Sequence, residues 1–283
     1  MLATSDDGIF LVAAYQAARA TSTPMCVLLL DIYARNHYSF LKRVVARVYE
    51  PRILRSATKV FVTNPQAQSH YRSLYGIEPI VLEHSSPPGL LPRTKNVQGK
   101  HLIAYTGSVY WAQADAIRNL VEALLTLPEV TLELVTEQSE SDLERMQLIR
   151  GHVHVRRCTP SETMDVQRAA DILFLPLSFG DDAHDLIRTA APGKMAEYLV
   201  SGVPVLVHAP ADSYLSRDAK EYGWGLVVDR PDVHALAEGI RALFTDRALR
   251  ERLVANAIQI AATRHNEATL AARFRHELES AFG

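Results

Sequence analysis

The stretch Thr189-Ala-Ala-Pro-Gly-Lys-Met-Ala-Glu-Tyr-Leu-Val-Ser-Gly-Val-Pro-Val-Leu206 places a compact set of chemically informative residues between two apolar segments. Pro192 suits the first position of a helix, where its missing N–H costs nothing. Gly193 has no side chain, so a ligand can approach its backbone closely. The N–H groups that open a helix favour a phosphate, and Lys194 adds a positive charge in the same turn. Glu197 follows three residues later and shares that face. A carboxylate one turn beyond a phosphate site can accept hydrogen bonds from two adjacent hydroxyls, such as those of a ribose. Gly202 ends the helix, and Val203-Pro204 leads into a strand. Taken alone, Pro-Gly-Lys also reads as a plain helix-to-strand connection with a solvated Lys–Glu pair.

The neighbouring sequence supplies the frame. Short runs rich in Val, Ile and Leu alternate with longer amphipathic segments, the pattern of parallel sheets covered by helices on both faces. Upstream, Leu102–Thr106 reads as a strand stopped by Gly107-Ser108, followed by a helix over Ala114–Leu125. Strands are expected at Thr131–Val135, Val153–Arg156, Ile172–Pro176, Val205–His208 and Leu226–Val228, with a helix from Pro192 to Ser201. Before them, Ser-Ser-Pro-Pro-Gly-Leu-Leu-Pro-Arg-Thr within Ser85–Gly99 reads as a linker. The region ahead of it offers three strands, Met25–Leu30, Lys59–Thr63 and Glu78–Glu83. Its helix over Ser39–Arg55 sets Phe40, Val44, Val48 and Leu54 near one face. Ala3-Thr4-Ser5 looks like the exit from a strand that is missing, so the first domain is expected to be incomplete. The fold class is α/β with two Rossmann-like domains, over residues 1–90 and 91–265, and a closing helix over 266–283 that crosses back to the first.

A chain of 283 residues that is 48% hydrophobic buries a full core without staples. A formal net charge of −2 gives no electrostatic case for nucleic acid. Cys26 and Cys158 stand far apart, without the spacing of a zinc site or a disulfide framework, and a reducing cytoplasm is the expected setting. No run approaches the ~18 apolar residues of a membrane span, and no basic segment precedes an apolar one at the start.

Pro192, Lys194, Glu197, Tyr198, Gly202, Pro204 and Val205 resemble the donor-site motif of family-4-like retaining glycosyltransferases, Pro-x-Lys-x-x-Glu-Tyr-x-x-x-Gly-x-Pro-Val. Tyr105-Thr106-Gly107-Ser108 is similar to that family's glycine-bearing turn, Ala170–Pro176 to its "Ala-Asp-Val…Pro" strand, and Asp246–Ala257 to a helix pair near its end. The resemblance covers Lys100–Glu279 well and Ala3–His84 loosely, as the latter half of an acceptor domain. It implies the GT-B arrangement of two Rossmann-like domains facing a cleft. It also implies transfer of a hexose-type sugar from a nucleotide-sugar to a hydroxyl of a glycan or lipid-linked acceptor. Configuration would be retained, the leaving diphosphate would help to deprotonate the acceptor, and neither metal nor cofactor would be needed. On this basis Gly107, Ser108, Gly193, Lys194, Glu197 and Tyr198 are the candidate donor-binding residues, and Lys194, Arg188 and Asp31 the candidate catalytic ones.

The chain departs from the family at several points. Thr189 stands where many members carry a first glutamate, eight positions before Glu197. Ser108 and Gln113 fall where an arginine and a lysine usually meet the diphosphate, which leaves Arg188 and Lys194 to supply positive charge. Leu30 occupies the place of a frequent histidine; Asp31 beside it either orients an acceptor hydroxyl or caps the next segment. Asp181, Asp182, His184 and Asp185 make an acidic cluster assigned to a mobile loop near the site, with no recognisable metal spacing. Arg35, Lys42, Arg43, Arg47, Arg52, Arg55 and Lys59 make a basic stretch that is either a solvated face or a peripheral contact with anionic lipid at the inner membrane face. A nucleotide-sugar-binding protein without turnover is the alternative function. A sugar-nucleotide epimerase can share the fold, but no acid/base constellation for one is visible.

Overall fold

A computed structural model describes residues 1–5, 9–36, 39–86, 101–180 and 183–282. The first elements along the chain are β1 (Leu2–Thr4), α1 (Phe10–Ala20), β2 (Cys26–Leu29), α2 (Phe40–Ser56), β3 (Lys59–Val62), α3 (Pro65–Tyr75) and β4 (Ile80–Val81). Then come β5 (His101–Thr106), α4 (Trp111–Leu124), β6 (Val130–Val135), α5 (Glu140–Arg145), β7 (Val153–Arg156), α6 (Pro160–Ala169) and β8 (Ile172–Pro176). The last are α7 (His184–Thr189), α8 (Lys194–Val200), β9 (Val205–His208), α9 (Tyr214–Tyr222), β10 (Gly225–Val228), α10 (Val233–Thr245), α11 (Arg247–Arg264) and α12 (Glu267–Phe282). These elements form two compact units. Unit 1 comprises Met1–Ser85, Asp182–Ala191 and Glu267–Gly283; unit 2 comprises Ser86–Asp181 and Pro192–Asn266.

Unit 1 holds a parallel sheet in the order β1-β2-β3-β4. The residues expected to be only the exit of a missing strand are themselves a strand, with Leu2, Ala3 and Thr4 in register with Cys26, Val27 and Leu28. Val27, Leu29 and Val62 meet Leu11, Ile53, Leu54 and Tyr71 from the helices in one core, which Leu186 of α7 also joins. Asn64 caps α3: its Oδ1 accepts from the N–H groups of Gln66 (3.0 Å) and Ala67 (2.9 Å), satisfying two otherwise orphaned donors. The same side chain donates through Nδ2 to the Thr189 carbonyl at 2.8 Å and so ties down the end of α7. α12 lays Phe274 edge-on against Phe61 of β3, with ring centroids 5.1 Å apart.

Two expectations for unit 1 are corrected. His184 and Asp185 belong to a short helix, with Leu186 and Ile187 buried, rather than to a loop; Asp181 and Asp182 lie outside the described residues. In α2 the buried face is Ala46, Glu50, Ile53 and Leu54. Phe40, Val44 and Val48 are exposed. At ~100° per residue these three fall on the side opposite the buried set, and only Leu54 of the expected face faces the core.

Unit 2 holds a six-stranded parallel sheet in the order β10-β9-β8-β5-β6-β7. Its strands read as apolar runs because helices cover both faces; every residue of Ile172–Pro176 is buried. Thr159 and Glu162 close a reciprocal capping box at the start of α6. Counted from β5, the spatial order is 3-2-1-4-5-6, that of doubly wound nucleotide-binding sheets. Chain direction reverses its march across the sheet between β5 and β8, and in such sheets ligands bind outside the strand ends at that switch.

Candidate nucleotide site

β5 ends at the switch point and hands the chain to Gly107, whose φ of +121° is a conformation that side chains resist. A side chain there would also displace the head of Lys194. A Cβ built on Gly107 would lie 2.8 Å from Nζ of Lys194 and 3.0 Å from its Cε. The glycine is therefore the seat on which the lysine head rests. Nζ donates to the Tyr105 hydroxyl at 2.7 Å and lies 4.0 Å from the centre of the Tyr105 ring, close enough for a cation–π contribution. The Tyr105 hydroxyl in turn donates to the Ser108 carbonyl at 2.6 Å, so strand end, turn and lysine form one linked unit.

Burial pushes the Lys194 pKa down to about 7, and the Glu197 carboxylate offsets part of that shift. Among the described residues the Tyr105 hydroxyl is the one hydrogen-bond partner of this ammonium, which has three donors. Glu197, one turn on, accepts from Nε2 of Gln167 at 2.9 Å, and Gln167 also donates to Oγ1 of Thr106 at 3.0 Å. Around these groups lies a cavity of about 350 Å³. Thr106-Gly107-Ser108, Val135-Thr136-Glu137, Cys158 and Thr163 line it together with Lys194 and Glu197.

Four of the expected donor residues, Gly107, Ser108, Lys194 and Glu197, thus meet at one cavity. Gly193 directly precedes α8 and is exposed. Regular helix begins at Lys194 rather than at Pro192, because Met195 and Ala196 bond back three residues, to the carbonyls of Pro192 (2.9 Å) and Gly193 (3.2 Å). Tyr198, also expected at the donor, is not among the residues lining the cavity. It is fully buried, and its hydroxyl accepts from the Thr106 N–H at 2.9 Å and bonds Oγ1 of Thr106 at 3.1 Å. Gln113 is buried in α4 and is not among the residues lining the cavity.

Arg188 and Asp31 belong to unit 1. Arg188 sits in a charged cluster with Arg35, His70 and Asp185. There burial, above all, lowers the His70 pKa; Asp185 opposes the shift, and the two arginines reinforce it. Arg35 pairs with Asp185 at 3.5 Å. Asp31 accepts a short hydrogen bond from the Asn36 amide, a bond that holds the turn after β2. Among the described residues no group of three or more His, Cys, Asp or Glu side chains is placed to hold a metal.

Motif reading passed over Tyr105 and Gln167, and the lining residues Val135, Thr136, Glu137, Cys158 and Thr163. Tyr105 stood within the quoted turn, and its place at a strand end beside a glycine was the available signal.

Residues 100–246 match the family "Glycosyl transferases group 1", and the chain belongs to that family. Its structure is similar to sucrose-phosphate synthase from Thermosynechococcus elongatus, with a TM-score of 0.74 and 18% identity over 99% of this chain and 73% of that one. It is also similar to HepE from Anabaena in complex with UDP and glucose (TM-score 0.73, 18% identity, 99% and 77% covered). A third likeness is to WaaG, a glycosyltransferase of lipopolysaccharide biosynthesis (0.66, 17%, 92% and 79%). At these identities the likeness establishes the fold, two Rossmann-like parallel sheets of the GT-B kind. No curated protein matches the chain in sequence.

Proposed function

We propose that the chain transfers a sugar from a nucleoside diphosphate sugar to an acceptor hydroxyl with retention of configuration, and that unit 2 holds the donor. The observation that carries this reading is the Lys194 ammonium seated on Gly107 at the switch point of a nucleotide-type sheet, beside a cavity. Cleaving the bond between the sugar and its phosphate develops negative charge on the leaving diphosphate. An ammonium held against that group, in surroundings drier than water, stabilises the charge as it develops. Lys194 supplies it, with its remaining N–H groups on phosphate oxygens and the Gly107-Ser108 backbone packed against the same group. Glu197, held by Gln167, accepts from the ribose hydroxyls. The acceptor oxygen bonds to the anomeric carbon on the face the diphosphate leaves, and its proton passes to a phosphate oxygen. Arg188 is the proposed second cation and Asp31 the proposed orienting group for the acceptor. HepE holds UDP-glucose in a solved complex, which makes uridine diphosphate the first nucleotide to try.

The test is calorimetric titration with UDP, GDP and dTDP of the wild type, Lys194→Ala and Glu197→Ala. One nucleotide should bind, and each substitution should weaken it by ~1–3 kcal/mol, the range for charge-assisted hydrogen bonds. Absence of binding by folded protein would remove the donor assignment.

One observation favours a second reading, nucleotide-sugar binding without turnover: Lys194 is the single cation among the described residues lining the unit 2 cavity. Nucleotide binding combined with no sugar release from any nucleotide-sugar would select it.

A further inference from the structure

Tyr110 and Trp111 follow the Gly107-Ser108 turn closely and open α4. Both are aromatic, and neither is packed away: Tyr110 is 45% exposed and Trp111 36%. Their ring centroids lie 6.0 Å apart with the planes at 70°, so the two rings make a corner rather than a flat patch. The residues on either side, Val109 and Ala112, are buried and give the corner a fixed base. Exposed aromatic rings beside a cavity are the usual lining of a small-molecule site, where an apolar face and a polar tip serve together.

Position shows which part of a ligand would reach them. The Ser178 N–H donates to the Ala112 carbonyl at 2.8 Å, so the start of α4 leans toward the end of β8. Glu137 and Cys158, at the far wall of the cavity, follow β6 and β7 on the other side of β5. Gly107, with the Lys194 head on it, ends β5 between the two. The Tyr105 pKa is raised by burial first and then by Tyr198 and Tyr110, which puts the Tyr110 phenol near the hydroxyl that Lys194 holds. With the nucleoside beside Glu197 and the diphosphate at Lys194, the sugar continues from the terminal phosphate toward the β8 side, where the corner stands. A pyranose ring suits it: the C–H face is apolar and flat, and the Tyr110 hydroxyl can bond a ring hydroxyl.

We propose that Tyr110 and Trp111 form the wall against which the transferred sugar of the donor lies, and that this sugar is a pyranose with a C–H face turned to the rings. The proposal rests on the donor reading of unit 2 and adds to it the residues that read the sugar.

Calorimetry on the full chain tests it, comparing UDP, GDP and dTDP with UDP-glucose, GDP-glucose and dTDP-glucose. For the nucleotide that binds, Trp111→Ala and Tyr110→Ala should each weaken the glucose conjugate about tenfold, since a ring face returns to water, and leave the bare nucleotide at its wild-type affinity. Both side chains are exposed, so the variants should keep the wild-type melting transition. Fluorescence gives a second readout. Of the two tryptophans, Trp224 is fully buried with its Nε1 bonded to Asp218 at 2.8 Å, so acrylamide quenching reports Trp111. The conjugate should protect Trp111 from acrylamide, and the bare nucleotide should not. Conjugate affinity that neither variant lowers overturns the proposal and leaves the donor site standing. Equal losses for nucleotide and conjugate also overturn it, because the rings would then stack on the base. Protection of Trp111 by maltose, with conjugate affinity untouched in both variants, overturns it in favour of an acceptor sugar. No nucleotide binding by the folded chain removes the donor reading and this proposal together.

Discussion

One charge in each unit stands out, buried Glu50 in unit 1 and half-buried Lys194 in unit 2, and the two are treated differently. In unit 1, Glu50 is 2% exposed and meets donors on every side: the Ala34 N–H at 2.9 Å, the Tyr71 hydroxyl at 3.3 Å and a short bond from the Tyr75 hydroxyl. In unit 2, Lys194 has, among the described residues, a single hydroxyl for a partner, with an aromatic face beneath it and a cavity beside it. A buried charge whose partners are all internal locks a fold together. A half-buried charge with donors to spare at a cavity wall costs stability, which is the pattern expected of a group that awaits a ligand of opposite sign.

The largest effects should fall on opposite observables. Glu50→Ala leaves three donors facing a void and should destabilise unit 1 by ~3–4 kcal/mol in denaturant unfolding, with nucleotide affinity unchanged in the folded protein. Lys194→Ala should leave stability unchanged or slightly raised while nucleoside diphosphate affinity falls ~10–100-fold. If both variants lose stability alike, the distinction collapses.

Gly107→Ala should come next. It combines a positive φ with a Cβ 2.8 Å from the lysine head, so Nζ must leave its seat. Calorimetry should show about a tenfold loss of nucleotide affinity, and unfolding a loss of ~1–3 kcal/mol from backbone strain.

The pH dependence of stability sharpens the same comparison, because the two groups act in opposite directions. Burial raises the Glu50 pKa above 4.5, so the folded form holds a proton the unfolded chain releases; stability from this group is present at low pH and lost as pH rises through the folded value. Burial lowers the Lys194 pKa to about 7 from 10.5. Between those values the unfolded chain binds the extra proton, so stability rises with pH across that window. Urea midpoints across pH should show both trends in wild type, while Glu50→Gln and Lys194→Met should each lose one of them. Smallest is Tyr198→Phe, which removes the hydroxyl shared with Thr106 and should cost about 1 kcal/mol of stability with only a minor change in nucleotide affinity.

Much of unit 2 was legible because buried parallel strands announce themselves as apolar runs. Val153–Arg156, Ile172–Pro176 and Val205–His208 stand where the sequence places them. Gly107, Lys194 and Glu197 were legible as residue types whose chemistry suits a phosphate and a ribose. Tyr105 and Gln167 were not, because their roles come from contacts across the fold: Lys194 meets Tyr105 from 89 positions away, and Gln167 reaches Thr106 across 61. α7 escaped notice because six residues with one apolar pair, Leu186-Ile187, give no helical period. In α2 both faces carry hydrocarbon, so pattern alone favoured the wrong one, and only packing chose Ile53 and Leu54 over Phe40 and Val44.

The most direct test of Lys194 as the phosphate ligand is the proton balance of nucleotide binding. UDP titrations at pH 8 in buffers of different ionisation enthalpy report how many protons the complex takes up. An ammonium with a pKa of about 7 is mostly neutral there and must be recharged to hold a diphosphate. The account predicts uptake close to one proton by wild type, little or none by Lys194→Met, and wild-type affinity that falls as pH rises above 7. Binding without proton uptake, or the same uptake in both proteins, would contradict it.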